Sequence, residues 1–206
     1  MTQYFSLKSD HVTVTNAANT NHREKINFCS NKVILLNLII MIILWSVTSL
    51  NYYLITYYMK YVPGNIFVNT TVSTVSELIA YACSGLAYQL LGGKTAFFLS
   101  FLISAVGGGL IAFIPAVGYE IAGFVLLAKF GISFAFNLVY VITPTLFPTD
   151  LCSTSFGVCN FFANLSSVFS PVIAELREPL PMLVYAFTSI LAMIASLFLF
   201  TKVKYD

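Results

Sequence analysis

From residue 33 to residue 201 the chain is almost continuously apolar, broken only where turn-forming residues and isolated charges fall. The breaks leave six stretches, 33–59, 67–91, 95–115, 118–143, 150–174 and 181–201. Each is long enough to cross a hydrocarbon core, which takes ~20 helical residues. Pro63-Gly64-Asn65 makes the first break, Gly92-Gly93-Lys94 the second and Pro115 to Gly118 the third. "TPTLFPTD", with Pro144 and Pro148, makes the fourth, and Glu175 to Pro181 the fifth. A β-barrel is set aside because the stretches lack the period-2 alternation of ~10-residue strands. The pattern predicts an all-α, integral membrane protein whose six transmembrane helices form one bundle.

Composition agrees: 58% of the residues are hydrophobic and 9% charged, against about 25% charged in an average soluble domain. Residues 1–32 are polar and rich in Thr and Asn, without the apolar core of a secretory signal, and read as a tail. Residues 202–206 form a second, short tail. With both tails cytoplasmic, the inner side carries Lys8, Arg23, Lys25, Lys32, Lys94, Lys202 and Lys204, and the outer side Lys60 and Arg177. That excess of basic residues inside is the usual orientation signal. A net charge of +2 with scattered basic residues argues against nucleic acid.

Candidate chemistry is sparse. Cys29, Cys83, Cys152 and Cys159 form no close pair, and His11 and His22 both lie in the polar tail, so neither a metal site nor a disulfide framework is indicated. No serine has a plausible His and acid partner, the turn at 92–94 lacks phosphate-loop spacing, and no catalysis or cofactor is assigned. Two charges lie inside spans: Glu77 in "TVSELIAYA" and Lys129 in "LLAKFGISF". A charge at bilayer depth costs at least ~2.5–3.5 kcal/mol on insertion scales, so it needs a partner or a wet cavity. Either the two pair across a polar cavity and handle substrate or protons, or they serve structure alone, as an ion pair or with one snorkelling to an interface.

Trp45 and Tyr52 are seven residues apart on one face of the first helix, where they line a cavity or pack in the core. Tyr57, Tyr58 and Tyr61 near its end read as an interfacial aromatic belt. Gly107-Gly108-Gly109 after Ala105 reads as a surface for close helix packing.

In order along the chain, these segments resemble the C-terminal half of an organic cation transporter-like member of the major facilitator superfamily. "LWSVTSLNYYL" is similar to that family's seventh helix, and "GNIFVN" followed by "SELIAYA" to the start of its eighth. "AKFGISFAFNLVYVITPTLFPTD" is similar to the tenth helix and following loop, and "FGVCNFFANLSSVFSPVIAELRE" to the eleventh. The resemblance implies that Trp45 and Tyr52 face a substrate cavity, and that Glu77 and Lys129 hold the family's acidic and basic positions. Asn164 stands where cation carriers of the family have Asp and anion carriers Arg. A neutral amide can hydrogen-bond a ligand but cannot offset its charge. An uncharged or zwitterionic substrate is therefore implied, or none. Thr145 and Cys152 replace the Glu and Arg of the family's loop latch, and leucines replace the Asp-Arg pair after the eighth helix.

Members of the superfamily bind substrate between two six-helix bundles, and this sequence supplies one. Three readings follow. The chain is a half-transporter for a small organic solute, working in the lipid membrane with a second six-helix bundle from another copy or another chain. Alternatively, it is a non-transporting structural subunit of a larger membrane complex. Thirdly, it is a truncated piece of an ordinary twelve-helix transporter.

Overall fold

The structure is a computed structural model that describes residues 32–62, 66–114 and 119–199. Residues 1–31 of the first polar tail, the second tail, and the breaks at Pro63-Gly64-Asn65 and Pro115 to Gly118 lie outside those described residues. Helix α1 spans Lys32–Tyr58 and ends in a 3-10 turn at Met59–Tyr61. It is followed by α2 (Ile66–Leu91), α3 (Gly93–Phe113), α4 (Tyr119–Leu146), α5 (Thr149–Ser167), α6 (Ser170–Ala174) and α7 (Leu180–Leu197). No strand occurs among the described residues.

Proline and glycine set the joints. Pro148 ends α4's run and caps α5, its carbonyl accepting from the amides of Leu151 and Cys152. Helix α4, expected to stop at residue 143, continues through Pro144 to Leu146. So near the end of a helix, proline withholds a single donor and the last turn survives it. The stretch expected as one helix over 150–174 is interrupted after Ser167 and resumes at Ser170, with Pro171 in the first turn of α6. Pro171 has no amide to donate to the carbonyl of Ser167, four residues back, and its ring crowds that carbonyl, so the ladder breaks there. Between α2 and α3, Gly92 adopts φ +79°, a left-handed conformation that costs a glycine little.

Four helices stand in one row, in the order α2, α4, α1, α5. Helices α3 and α7 back this row: α3 packs on α4 and α7, and α7 on α1 as well. Helices α2 and α5 are thus the two flanks of an open front. Five segments are long and apolar enough to cross a membrane: Lys32–Tyr61, Gly93–Phe113, Glu120–Leu146, Thr149–Ala174 and Leu180–Leu197. Helix α2 has the length, at 26 residues, but its threonines, serines and Glu77 make it less apolar. Of those five segments, the one formed by α5 and α6 is the least buried and has the lowest mean hydropathy. The two flanking helices are therefore the most polar of the bundle.

Helices α3 and α4 approach closely because glycine faces backbone. A Cβ on Gly107 would come within 2.5 Å of the Ala128 amide nitrogen, and one on Gly131 within 2.5 Å of that of Ser104. Gly108 makes room for the Tyr185 ring, whereas Gly109 has nothing within 4 Å. Contact thus runs through Gly107, Gly108 and Gly131, and Gly109 takes no part in it. Beside this seam lies a buried polar network. Asn51 donates to Ser189 Oγ at 2.9 Å and to the Tyr185 carbonyl at 3.2 Å. Tyr185 Oη lies 2.6 Å from Ser104 Oγ and 2.9 Å from the Ala128 carbonyl. These bonds join α1, α3, α4 and α7, and satisfy polar groups that lipid cannot.

The aromatic belt needs one correction. Tyr57 and Tyr61 are exposed, but Tyr58 is buried and donates to Glu178 Oε1 at 3.1 Å. Tyr58 lies four residues after Leu54 and seven after Asn51, both fully buried, so helical phase turns it inward.

Candidate substrate site and buried ion pair

Helix α4 carries Lys129 into the row at the level where α2 presents Glu77 and α1 presents Tyr52 and Thr56. Lys129 Nζ lies 3.0 Å from Glu77 Oε1; the lysine side chain is 2% exposed and the glutamate 16%. The ammonium also donates to Thr56 Oγ1 at 2.5 Å and sits 3.8 Å from the centre of the Tyr52 ring. Tyr52 Oη in turn donates to Glu77 Oε2 at 2.9 Å, and Thr56 Oγ1 to the Tyr52 carbonyl at 2.7 Å. Each carboxylate oxygen therefore has a donor, and the cation has a counter-charge, a hydroxyl and a ring face. A buried pair is tolerable only when its remaining hydrogen-bonding capacity is met in this way.

Trp45 belongs to a second, separate group. Its Nε1 donates to Thr143 Oγ1 at 3.0 Å, and its ring lies 4.6 Å from that of Tyr140 and 5.1 Å from that of Phe156. The Trp45 and Tyr140 rings, with that of Phe136, wall a small cleft of about 40 Å³ between α1, α4 and α5. Thr48, Tyr53, Asn160 and Asn164 also line it. Asn164 is exposed on the open front and donates to the carbonyl of Asn160 at 2.8 Å and to Asn160 Oδ1 at 3.1 Å. Trp45 and Asn164 therefore share a cleft, whereas Tyr52 is part of the ion-pair cluster. A run of tilted ring contacts connects the two groups: Tyr52 to Phe136 at 4.8 Å, Phe136 to Tyr140 at 5.4 Å, and Tyr140 to Trp45.

Thr56, Thr143, Tyr140, Asn160 and Thr48 are the partners that sequence reasoning missed. Thr56 is one turn beyond Tyr52 and Asn160 one turn before Asn164, so helical spacing was the available signal. Near the loop latch, Thr145 Oγ1 accepts from Tyr88 at 3.2 Å, tying the end of α4 to α2 without charge.

No family model matches the chain. It is 33% identical over 186 residues to solute carrier family 22 member 15 of Xenopus tropicalis, an alignment covering 82% of this chain and 34% of that protein. It is 32% identical over 172 residues to human organic cation/carnitine transporter 2, covering 78% and 30%. With mouse solute carrier family 22 member 4 it shares 27% identity over 167 residues, covering 76% and 29%. The chain spans about a third of the length of these curated relatives. The fold defines an integral, multi-pass membrane protein with one half-bundle of the major facilitator type. Within that superfamily the chain belongs to the organic cation transporter-like group.

Proposed function

We propose that this chain is one half of a carrier for a small organic solute, completed in the membrane by a second six-helix bundle. The observation that carries the reading is the Lys129–Glu77 pair, held inside the bundle beside Tyr52 and linked by rings to the Trp45 cleft. Such a pair can be broken and remade as two bundles rock about a central site. The polar flanks α2 and α5 support the second bundle, because polar helix faces at membrane depth seek protein or water rather than lipid. A second copy related by a two-fold axis along the membrane normal covers both flanks at once, laying α2 of each copy along α5 of the other. Both tails lie on the cytoplasmic or equivalent inner side. The substrate is uncharged or zwitterionic, since Asn164 offers no charge.

The test is uptake of labelled carnitine, a zwitterion, and tetraethylammonium, a cation, into proteoliposomes. Carnitine uptake is expected to exceed that of tetraethylammonium, and Glu77→Gln and Lys129→Met each to abolish it in folded protein. Unchanged uptake in both variants would sink the role of the pair. No uptake by any purified oligomer would favour the second reading, a non-transporting structural subunit. Two observations favour that alternative: Thr145 makes an uncharged tie where the family has a charged latch, and Asn164 hydrogen-bonds its own helix.

A further inference from the structure

Thr48 is fully buried on α1, and its hydroxyl has no hydrogen-bond partner among the described residues. Helical threonines ordinarily bond a carbonyl one turn back, as Thr56, Thr143 and Thr188 do here. A buried hydroxyl without a partner is rare enough to need an explanation. Thr48 stands in the wall of the Trp45 cleft, whose volume of about 40 Å³ exceeds what a single water requires. The polar side chains there are Thr48, Ser49, Tyr53, Tyr140, Asn160, Asn164 and the Trp45 indole, all uncharged. The nearby charges of Glu77 and Lys129 are paired with each other. Trp45 is itself buried, with the Tyr140 ring tilted against it and Phe156 in a T-shaped contact.

We propose that this cleft binds the hydroxyl end of a neutral organic solute, and that Thr48 is the residue that reads it. The Thr48 hydroxyl bonds the entering hydroxyl, the amides on α5 offer further donors and acceptors, and the rings of Trp45 and Tyr140 pack on the adjoining carbons. A site built around a buried polar group discriminates strongly against a molecule that leaves the group unpaired. An ammonium brought to this depth would find no carboxylate in the lining. The inference rests on the reading that the cleft belongs to a substrate path, and within the uncharged or zwitterionic class it favours an uncharged, hydroxyl-bearing molecule over carnitine.

Trp45 is the chain's one tryptophan and lies in the cleft wall, so its emission reports occupancy directly. The purified full chain in mild detergent is titrated with 3,3-dimethyl-1-butanol and with choline, which have the same shape and differ in charge. The neutral alcohol is expected to change Trp45 emission saturably, with choline needing at least ~10-fold higher concentration. Thr48→Val is expected to weaken the alcohol's binding by ~10-fold, as loss of one buried hydrogen bond does, and Thr48→Ser to restore it. Equal or tighter binding of choline, a response that does not saturate, or unchanged binding in Thr48→Val with native size-exclusion behaviour overturns the proposal. The readout needs neither transport nor a second bundle. Saturable, Thr48-dependent binding without uptake would therefore overturn the carrier reading alone, whereas uptake without such binding would overturn this inference alone.

Discussion

Lys129 Nζ lies 3.0 Å from Glu77 Oε1, joining α4 to α2 inside the bundle, and Tyr52 completes the contact by donating to the carboxylate's other oxygen. Removing one member leaves the other buried without its counter-charge, which costs about 3 kcal/mol or more, whereas removing both leaves no orphan. Glu77→Gln and Lys129→Met should each destabilise the bundle by about that amount, and the double variant by clearly less than their sum. Unfolding midpoints in a denaturing detergent titration provide the check. Additive losses would mean that the two residues do not act as a pair.

The α3–α4 seam makes a sharper structural prediction. Gly107→Ala and Gly131→Ala each drive a methyl against backbone at 2.5 Å and should cost about 1–3 kcal/mol as the helices are forced apart. Gly109→Ala, two residues along the same helix and open to space, should be neutral or slightly stabilising through better helix propensity. Thermal unfolding of the three variants, followed by circular dichroism, separates close packing at the seam from a general effect of glycine.

At the opposite end of α1, Lys60 and Tyr61 both donate to the exposed carboxylate of Glu175, between α6 and α7. The Lys60 bond first, and the Tyr61 bond after it, hold the Glu175 carboxyl below its ordinary value of 4.5. A lowered value in the folded state means that the clasp contributes fully at neutral pH and is lost as pH falls through 4.5 and below. Amide exchange across Met59–Val62, corrected for intrinsic rates, should therefore lose protection in that acid window. Glu175→Gln should exchange faster at neutral pH and show a flatter pH response. A variant that retains the full pH response would assign the effect to another group.

The row of helices was legible because lipid demands long apolar runs, and prolines and glycines mark where those runs must stop. Glu77 and Lys129 were conspicuous for the same reason, as charges in an apolar text. What the sequence hid depends on phase and on contacts between distant helices. Tyr58 looked like its neighbours Tyr57 and Tyr61, yet helical phase turns it inward to Glu178. Tyr52 and Trp45 share a face of α1, but Tyr52 is drawn to Glu77 while Trp45 meets Thr143. Ser104, Ser189 and Asn51 carry no sequence signal because hydroxyls and amides are unremarkable in membrane helices, where hydroxyls can bond their own backbone. Only the packing of α1, α3 and α7 brings them together. Thr48 was invisible for the converse reason, since what distinguishes it is a bond it does not make.

Completion by a second bundle is the central proposal, and the polar flanks α2 and α5 are what support it. Its most direct test is the native mass of the chain, extracted from its own membrane in mild detergent and corrected for bound detergent. A complex of two copies, about twice the chain mass of 22.7 kDa, is the expected result. A stable single-copy mass, or co-migration with a much larger assembly, would contradict it.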